Sequence, residues 1–311
     1  TIVGKNGSGK SRLLKELVER YMRRYADSAK GQLSYLDSAS TPKNIIAIST
    51  SPFDRFPMAA ALGMIKGDKI AEDSQGYYFY QGLRGLYSSN LSMSYMVRTI
   101  AGLIKGLTND SERLGTVLDV LDYLGFKKSI KARFVCEITR PTLQRISEEG
   151  GFDEYYKGGK RAGHELKRLL MRLEDATDEY KLAVSDAVKY YLGEFGKERV
   201  EISISENGTQ NSLTGRAVEE RFVVLMECGL LKLRDLSLHK KDLSKEFRIS
   251  DASSGEQCVV LTMLGIAARI KDGSLICIDE PEICLHPEWQ ERYIELLMST
   301  FRGFHSCQFI I

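Results

Sequence analysis

No apolar run in this 311-residue sequence is long enough to cross a bilayer. The longest, Cys258 to Ile270, contains Thr262, Gly265 and, next to its end, Arg269, and falls short of the roughly 20 residues a membrane-spanning helix needs. No basic segment and apolar core precede a cleavage site in the manner of a signal peptide, so a soluble, cytoplasmic protein with no membrane partner is expected. An excess of one charge is also lacking. The 44 Lys and Arg against 42 Asp and Glu leave a net +2, which argues against a dedicated polybasic binder, though not against a local basic groove. The six cysteines form no CxxC pair; most sit in apolar runs, where a free thiol behaves as a small hydrophobe. The four histidines are well separated and build no metal-nuclease constellation. Internal repeats and low-complexity tracts are missing. What remains is an ordinary globular composition, 43% hydrophobic and 28% charged, which excludes wholesale disorder. The length allows about two domains, or one large α/β domain with an insertion. The chain has no initiator Met and opens on Thr1-Ile2-Val3, which reads as the end of a strand; a piece of a longer protein, cut at both ends, is expected.

Against these absences stands Gly4-Lys5-Asn6-Gly7-Ser8-Gly9-Lys10-Ser11, a complete G-x-x-x-x-G-K-[ST] phosphate loop. Glycines admit backbone conformations closed to other residues, so successive N–H groups turn inward onto phosphate oxygens. The helix that follows brings its positive N-terminal end to the same place. In such a loop Lys10 reaches the β- and γ-phosphates and the Ser11 hydroxyl ligates Mg²⁺. Leu13, Leu14, Leu17, Val18, Tyr21 and Tyr25 recur at helical spacing just after it, which predicts that helix.

Near the other end, Asp251-Ala252-Ser253-Ser254-Gly255-Glu256-Gln257 leads into a helix-like run, and a turn at Lys271 to Ser274 leads into the apolar strand Leu275 to Ile278. That strand delivers Asp279 and Glu280. The carboxyl end of a buried parallel strand is where an α/β sheet holds its ligand. There Asp279 is expected to hold Mg²⁺, through a water, opposite Ser11, and Glu280 to orient and polarise the attacking water. ATP and Mg²⁺ are the implied cofactors, with Lys10 and Glu280 as the catalytic pair.

Ser253 to Gln257 resembles the signature motif of ABC-type ATPases, commonly Leu-Ser-Gly-Gly-Gln. One helix plus one strand separates it from Asp279, as in that family. Leu285-His286-Pro287 is similar to the segment after the second acidic motif in RecF/SMC-like and OLD-like ATPases, where it lies at the dimer seam. Ile45 to Phe56 and Tyr77 to Arg84 resemble segments of bacterial anti-phage ATPases of the Septu PtuA type, some of which accompany retrons. The resemblance implies an ABC-ATPase head: an α/β fold with a P-loop mixed sheet, flanking helices and a helical insertion. It also implies a homodimer around two sandwiched ATP molecules, or a higher oligomer, in which Ser254, the Gly255 backbone and the residue at Glu256 approach the γ-phosphate held by the partner. Glu256 replaces the second signature glycine, so either its carboxylate turns away or it binds a cation. Gln81, Ser51 and Asp54 are alternative occupants of the Q-loop position. The family's switch histidine would follow Cys307 to Ile311; His305 precedes that strand, and His286 reads as structural.

The stretch between phosphate loop and signature is longer than a nucleotide-binding core requires. Leu91 to Leu107, Leu114 to Leu124, Pro141 to Glu149, His164 to Phe195 and Ala217 to Gly229 read as helices, and Val200 to Ile204 as a strand followed by an Asn207-Gly208 turn. The expected division is a core lobe at 1–104, a mainly helical insertion at 105–225 and a second core lobe at 226–311. Heptads are too irregular for a long coiled-coil arm. Lys127, Lys128, Lys131, Arg133, Lys157, Lys160, Arg161, Lys167, Arg168 and Arg172 concentrate positive charge there, as a nucleic-acid contact, a docking face or a solvated helix surface. Three functions compete. The first is a defence ATPase that regulates a partner nuclease, of HNH type if the Septu likeness holds. The second is the ATPase half of an OLD-type nuclease with a Toprim domain beyond Ile311, or a RecF-like repair ATPase. The third, a transporter subunit, is disfavoured by the insertion and by Leu285-His286-Pro287.

Overall fold

The computed structural model describes residues 9–29, 41–51, 53–58, 76–82, 84, 91–109, 112–148, 163–174, 176–196, 198–242, 246–285 and 287–311. Its helices are α1 (Lys10–Ala29), α2 (Leu91–Asn109), α3 (Glu112–Tyr123), α4 (Arg140–Ser147), α5 (His164–Leu173), α6 (Asp178–Glu194), α7 (Arg221–Glu227), α8 (Ser254–Ala267) and α9 (Pro287–Thr300). Its strands are β1 (Asn44–Ser49), β2 (Tyr78–Gln81), β3 (Phe126–Cys136), β4 (Arg199–Ser205), β5 (Gly208–Asn211), β6 (Leu231–Lys240), β7 (Glu246–Arg248), β8 (Ser274–Asp279) and β9 (Gln308–Ile310). Among the described residues no helix is long and apolar enough to cross a membrane. Cys136, Cys228, Cys258 and Cys277 are buried thiols outside any disulfide.

The chain divides into two units. The first takes the described residues of Thr1–Ala60, Lys66–Gly102 and Ala252–Ile311; the second takes those of Leu103–Asp251.

In the first unit β2-β1-β8-β9 form a parallel sheet, in that order. Both β1 and β8 are buried at every position, as their near-continuous apolar sequences require of a parallel sheet covered on both faces. Helix α1 lays Leu14, Val18 and Met22 onto Ile45, Ala47, Leu275 and Cys277 of those strands. The burial of each such side chain contributes about 1.5–3 kcal/mol. The buried stripe is Leu14, Val18, Met22 and Ala26, four residues apart, while Leu13 remains 52% exposed. The fold is thus α/β, with a parallel sheet and helices against it.

The second unit differs from the expected insertion in extent and content. It runs to Asp251 and carries a five-stranded antiparallel sheet, ordered β5-β4-β3-β6-β7. Strand β3 buries Phe126, Ile130, Ala132, Phe134 and Cys136 and places Lys127, Lys128, Lys131 and Arg133 between them. That is the two-residue alternation of a half-covered strand, obscured by the density of its basic residues. The charges are met locally: Lys128 by Asp119 at 2.8 Å, and Arg133 by Glu201 at 2.8 Å and Glu246 at 2.6 Å. Lys157, Lys160 and Arg161 lie outside the described residues. The run expected as one helix from His164 to Phe195 is two, α5 and α6. Thr177 caps α6 by accepting from the Tyr180 N–H, a local alternative to continuing the helix. The helix expected at Ala217 to Gly229 is confined to α7.

Candidate active site

Gly9, with φ +88°, offers its carbonyl to the Leu13 N–H at 2.9 Å and so opens α1. A backbone at that angle suits glycine and strains other residues. Lys10 and Ser11 therefore occupy the first turn of the helix, where unpaired N–H groups and the helix dipole favour anions. Gly4, Lys5, Asn6, Gly7 and Ser8 lie outside the described residues.

The packing of α1 on β1 and β8 sets that first turn beside the carboxyl end of β8. There the Ser11 hydroxyl donates to Asp279 Oδ1 at 2.9 Å. Asp279 is the last residue of β8, paired in register with Ser49 of β1, and only 4% exposed. Burial pushes its carboxyl above the ordinary range. The Ser11 hydrogen bond acts in the opposite sense, and the charges of Glu280, Asp54 and Glu282 push it further up. A hydroxyl and a buried carboxylate meeting in this way, with ionisation opposed by burial and acidic neighbours, form a hard-oxygen donor set suited to Mg²⁺.

Glu280 follows in a left-handed conformation, φ 52° and ψ 49°, at the head of a short 3₁₀ turn over Pro281–Cys284. For a residue with a Cβ this costs of order 1–3 kcal/mol. Its carbonyl accepts from the Thr50 hydroxyl at 3.0 Å.

The expected Q-loop candidates separate. Gln81 is buried; its side-chain amide donates to Thr99 Oγ1 at 2.6 Å and packs against Gly265 of α8. Ser51 lies in the turn after β1, its N–H donating to Ser49 Oγ at 3.1 Å. Asp54 has no exposed side-chain surface. It receives the Tyr80 hydroxyl at 2.7 Å, the Phe56 N–H at 3.1 Å and two Arg84 donors, Nη2 at 2.8 Å and Nε at 3.2 Å. Burial and this acidic partner push the Tyr80 phenol up to about 12. The two segments likened to the Septu ATPases, Ile45–Phe56 and Tyr77–Arg84, are thus joined to each other by Asp54.

The signature-like residues begin α8. Ser253 is its N-cap and forms a capping box with Glu256: the Glu256 N–H donates to Ser253 Oγ at 3.3 Å, and the Ser253 N–H donates to Glu256 Oε2 at 3.1 Å. The Glu256 carboxylate is turned back onto its own helix start. Ser254 is exposed and Gly255 buried. His305 precedes β9 and bonds the Asp272–Gly273 turn; His286 lies outside the described residues.

Residues 102–311 match the family of AAA domains described as AbiEii toxin-like, of a type IV toxin–antitoxin system, more than half of the chain. The chain belongs to this AAA domain family. That makes it a P-loop NTPase of a family that generally uses ATP and Mg²⁺. The match starts after the phosphate loop, so the loop stands on its own sequence pattern and on the Ser11–Asp279 contact. No curated protein and no solved structure matches the chain.

Sequence reasoning missed Thr50 and the Asp54–Arg84 pair. Both follow from pairing β1 with β2 and β8, which no local pattern announces; only the acid-and-arginine content of the two quoted segments hinted at it.

Proposed function

We propose that this chain binds Mg·ATP between the Gly4–Ser11 loop and the Asp279–Glu280 strand end and hydrolyses it. The single observation that supports this best is the 2.9 Å hydrogen bond from Ser11 to Asp279, since the two residues expected to share one Mg²⁺ are already in contact. Lys10 and the loop N–H groups neutralise the β- and γ-phosphates. The Ser11 and Asp279 oxygens hold the cation, the latter through a water. When bound there, the metal would supply neutralisation of the phosphate charge. Glu280 accepts a hydrogen bond from the attacking water and fixes its direction.

In the same reading the protein works as an ATP-sandwiched homodimer of a bacterial anti-phage system of the Septu kind, and its ATP state governs a partner nuclease, of HNH type. A γ-phosphate touched by both subunits favours the closed dimer, and hydrolysis removes that bridge. With the Glu256 carboxylate turned back onto Ser253 and Ser254 exposed, the signature turn has the Ser254 hydroxyl available for the partner's nucleotide, which supports this arrangement. Lys10→Ala is expected to abolish nucleotide binding, and Glu280→Gln to keep binding while lowering turnover by on the order of a hundredfold or more. Unchanged hydrolysis in both variants overturns the assignment. Sedimentation of the Glu280→Gln protein with and without ATP reads the dimer, and co-purification from the native operon reads the partner.

A further inference from the structure

Glu280 and Ser306 are the non-glycine residues with positive φ among those described, and Glu280 also stands directly before Pro281. A left-handed backbone is disfavoured wherever a Cβ is present, and a following proline biases a residue towards extended conformations instead. Glutamate also lacks the short polar arm with which Asn or Asp offsets this cost. The conformation therefore needs support from outside the residue. Two donors reach the Glu280 carbonyl. The Ile283 N–H, at 3.3 Å, closes the local turn. The other is the Thr50 hydroxyl, at 3.0 Å, from 230 positions away. Parallel pairing sets Ser49 against Asp279, so Thr50 and Glu280 are the next residues beyond the ends of adjacent strands. Thr50 is itself 7% exposed, which keeps water from competing for its hydroxyl.

We infer that Thr50 is a positioning residue for hydrolysis: its hydroxyl pins the Glu280 peptide in the left-handed conformation, and that conformation fixes the direction in which the Glu280 carboxylate leaves the backbone. The inference rests on the reading of Glu280 as the water-orienting group. Without the bond the peptide relaxes towards the extended region and swings the carboxylate away, while the phosphate-binding loop is unaffected.

The test is steady-state ATP hydrolysis and Mg·ATP affinity of the full chain carrying Thr50→Val, Thr50→Ala, Thr50→Ser, Glu280→Gln and the Thr50→Val/Glu280→Gln pair. Thr50→Val, which keeps the shape and removes the hydroxyl, is expected to lower kcat roughly ten- to a hundredfold with Mg·ATP affinity held within about twofold. Thr50→Ala, which only deletes atoms and covers the case of a misfolded valine variant, gives the same split, and Thr50→Ser restores turnover. In the Glu280→Gln background Thr50→Val has no further effect, because it acts through that carboxylate. If Glu280→Gln lowers turnover and the Val and Ala variants do not, or if they lose affinity and turnover together, the positioning role is overturned while the ATPase reading stands. Full activity in Glu280→Gln overturns the reading of Glu280 as the water-orienting group, and the positioning role of Thr50 with it.

Discussion

Ser11 and Asp279 are separated by 268 positions, yet the hydroxyl of one donates to the carboxylate of the other at 2.9 Å. The contact is made by two rigid parts. Leu14, Val18 and Met22 fix α1 on the sheet, and β8 ends where its apolar run ends. On the proposed function, a helix start and a strand end held in this way would need little reorganisation to receive a cation and a triphosphate, which is the condition for electrostatic catalysis.

Asp279 bears a cost for that arrangement when no cation is present. Its folded-state pKa is raised, chiefly by burial, above the ordinary value of 3.8. The folded protein therefore holds the proton more tightly than the unfolded chain. Stability from this group is fully present below the unfolded value and is lost as pH rises through the folded one. Asp279→Asn keeps an oxygen for Ser11 and removes the charge. In metal-free buffer at neutral pH its Tm is expected to exceed that of the parent by a few degrees, with the gap closing as pH falls into the acid range. Mg²⁺-dependent hydrolysis drops by on the order of a hundredfold or more. A lower Tm for the Asn variant at neutral pH contradicts this account.

Glu256 makes the opposite trade. Its carboxylate and Ser253 satisfy each other's backbone N–H groups at the start of α8, so installing the glycine usual in signature motifs removes half of a capping box. Glu256→Gly is expected to lower unfolding free energy by about 1–2 kcal/mol, combining a lost cap with the helix cost of glycine. Glu256→Gln, which can still bridge back, loses much less. Urea titration reads both, as a shifted midpoint at unchanged slope.

Gly265 and Gln81 are coupled by space. A Cβ on Gly265 would come within 3.0 Å of the Gln81 side chain, which Thr99 holds by a 2.6 Å hydrogen bond. Replacing a mid-helix glycine by alanine normally stabilises by roughly 0.8–1 kcal/mol, whereas forcing atoms into a filled core costs about 1–3 kcal/mol. Gly265→Ala is accordingly expected to be net destabilising in the parent and stabilising in a Gln81→Ala background. The same sign in both backgrounds, measured by denaturant titration, refutes the packing argument.

What the sequence could disclose follows from the range of each signal. The helix after the phosphate loop and the apolar β8 with its two acids are local patterns, and both lie where their patterns pointed, while residues 4–8 of the loop lie outside the described residues. The helices between Leu91 and Leu124 were legible for the same reason. Strand β3 was hidden because Lys127, Lys128, Lys131 and Arg133 drew attention as a charge run, while Phe126, Ile130, Ala132 and Phe134 set its two-residue period. Strand β6 was missed, although β4 and the Asn207-Gly208 turn after it, in the same sheet, lie where the sequence placed them. Antiparallel partners such as β3 and β6, paired Ile130 to Leu238 and Phe134 to Leu233, recognise each other across about a hundred residues, beyond any window in which periodicity is read. The choice between the two fates of Glu256 likewise depended on a side-chain rotamer, which spacing does not encode.

The buried Asp54–Arg84 pair tests that long-range layer most severely. Asp54 has no exposed side-chain surface, whereas Arg84 retains 29%, so the two halves of the pair are not equivalent. Arg84→Ala strands a buried carboxylate that keeps only the Tyr80 hydroxyl and the Phe56 N–H, and a buried charge without its counter-ion is destabilising by about 3–5 kcal/mol. Asp54→Asn should cost clearly less, because the guanidinium it leaves behind can turn to water and still reaches the Phe56 carbonyl. The Asp54→Asn/Arg84→Ala double variant is then expected to be more stable than Arg84→Ala alone, since it removes the stranded charge. Additive losses in the double variant, read from urea unfolding at neutral pH, show that the two side chains do not act as a pair.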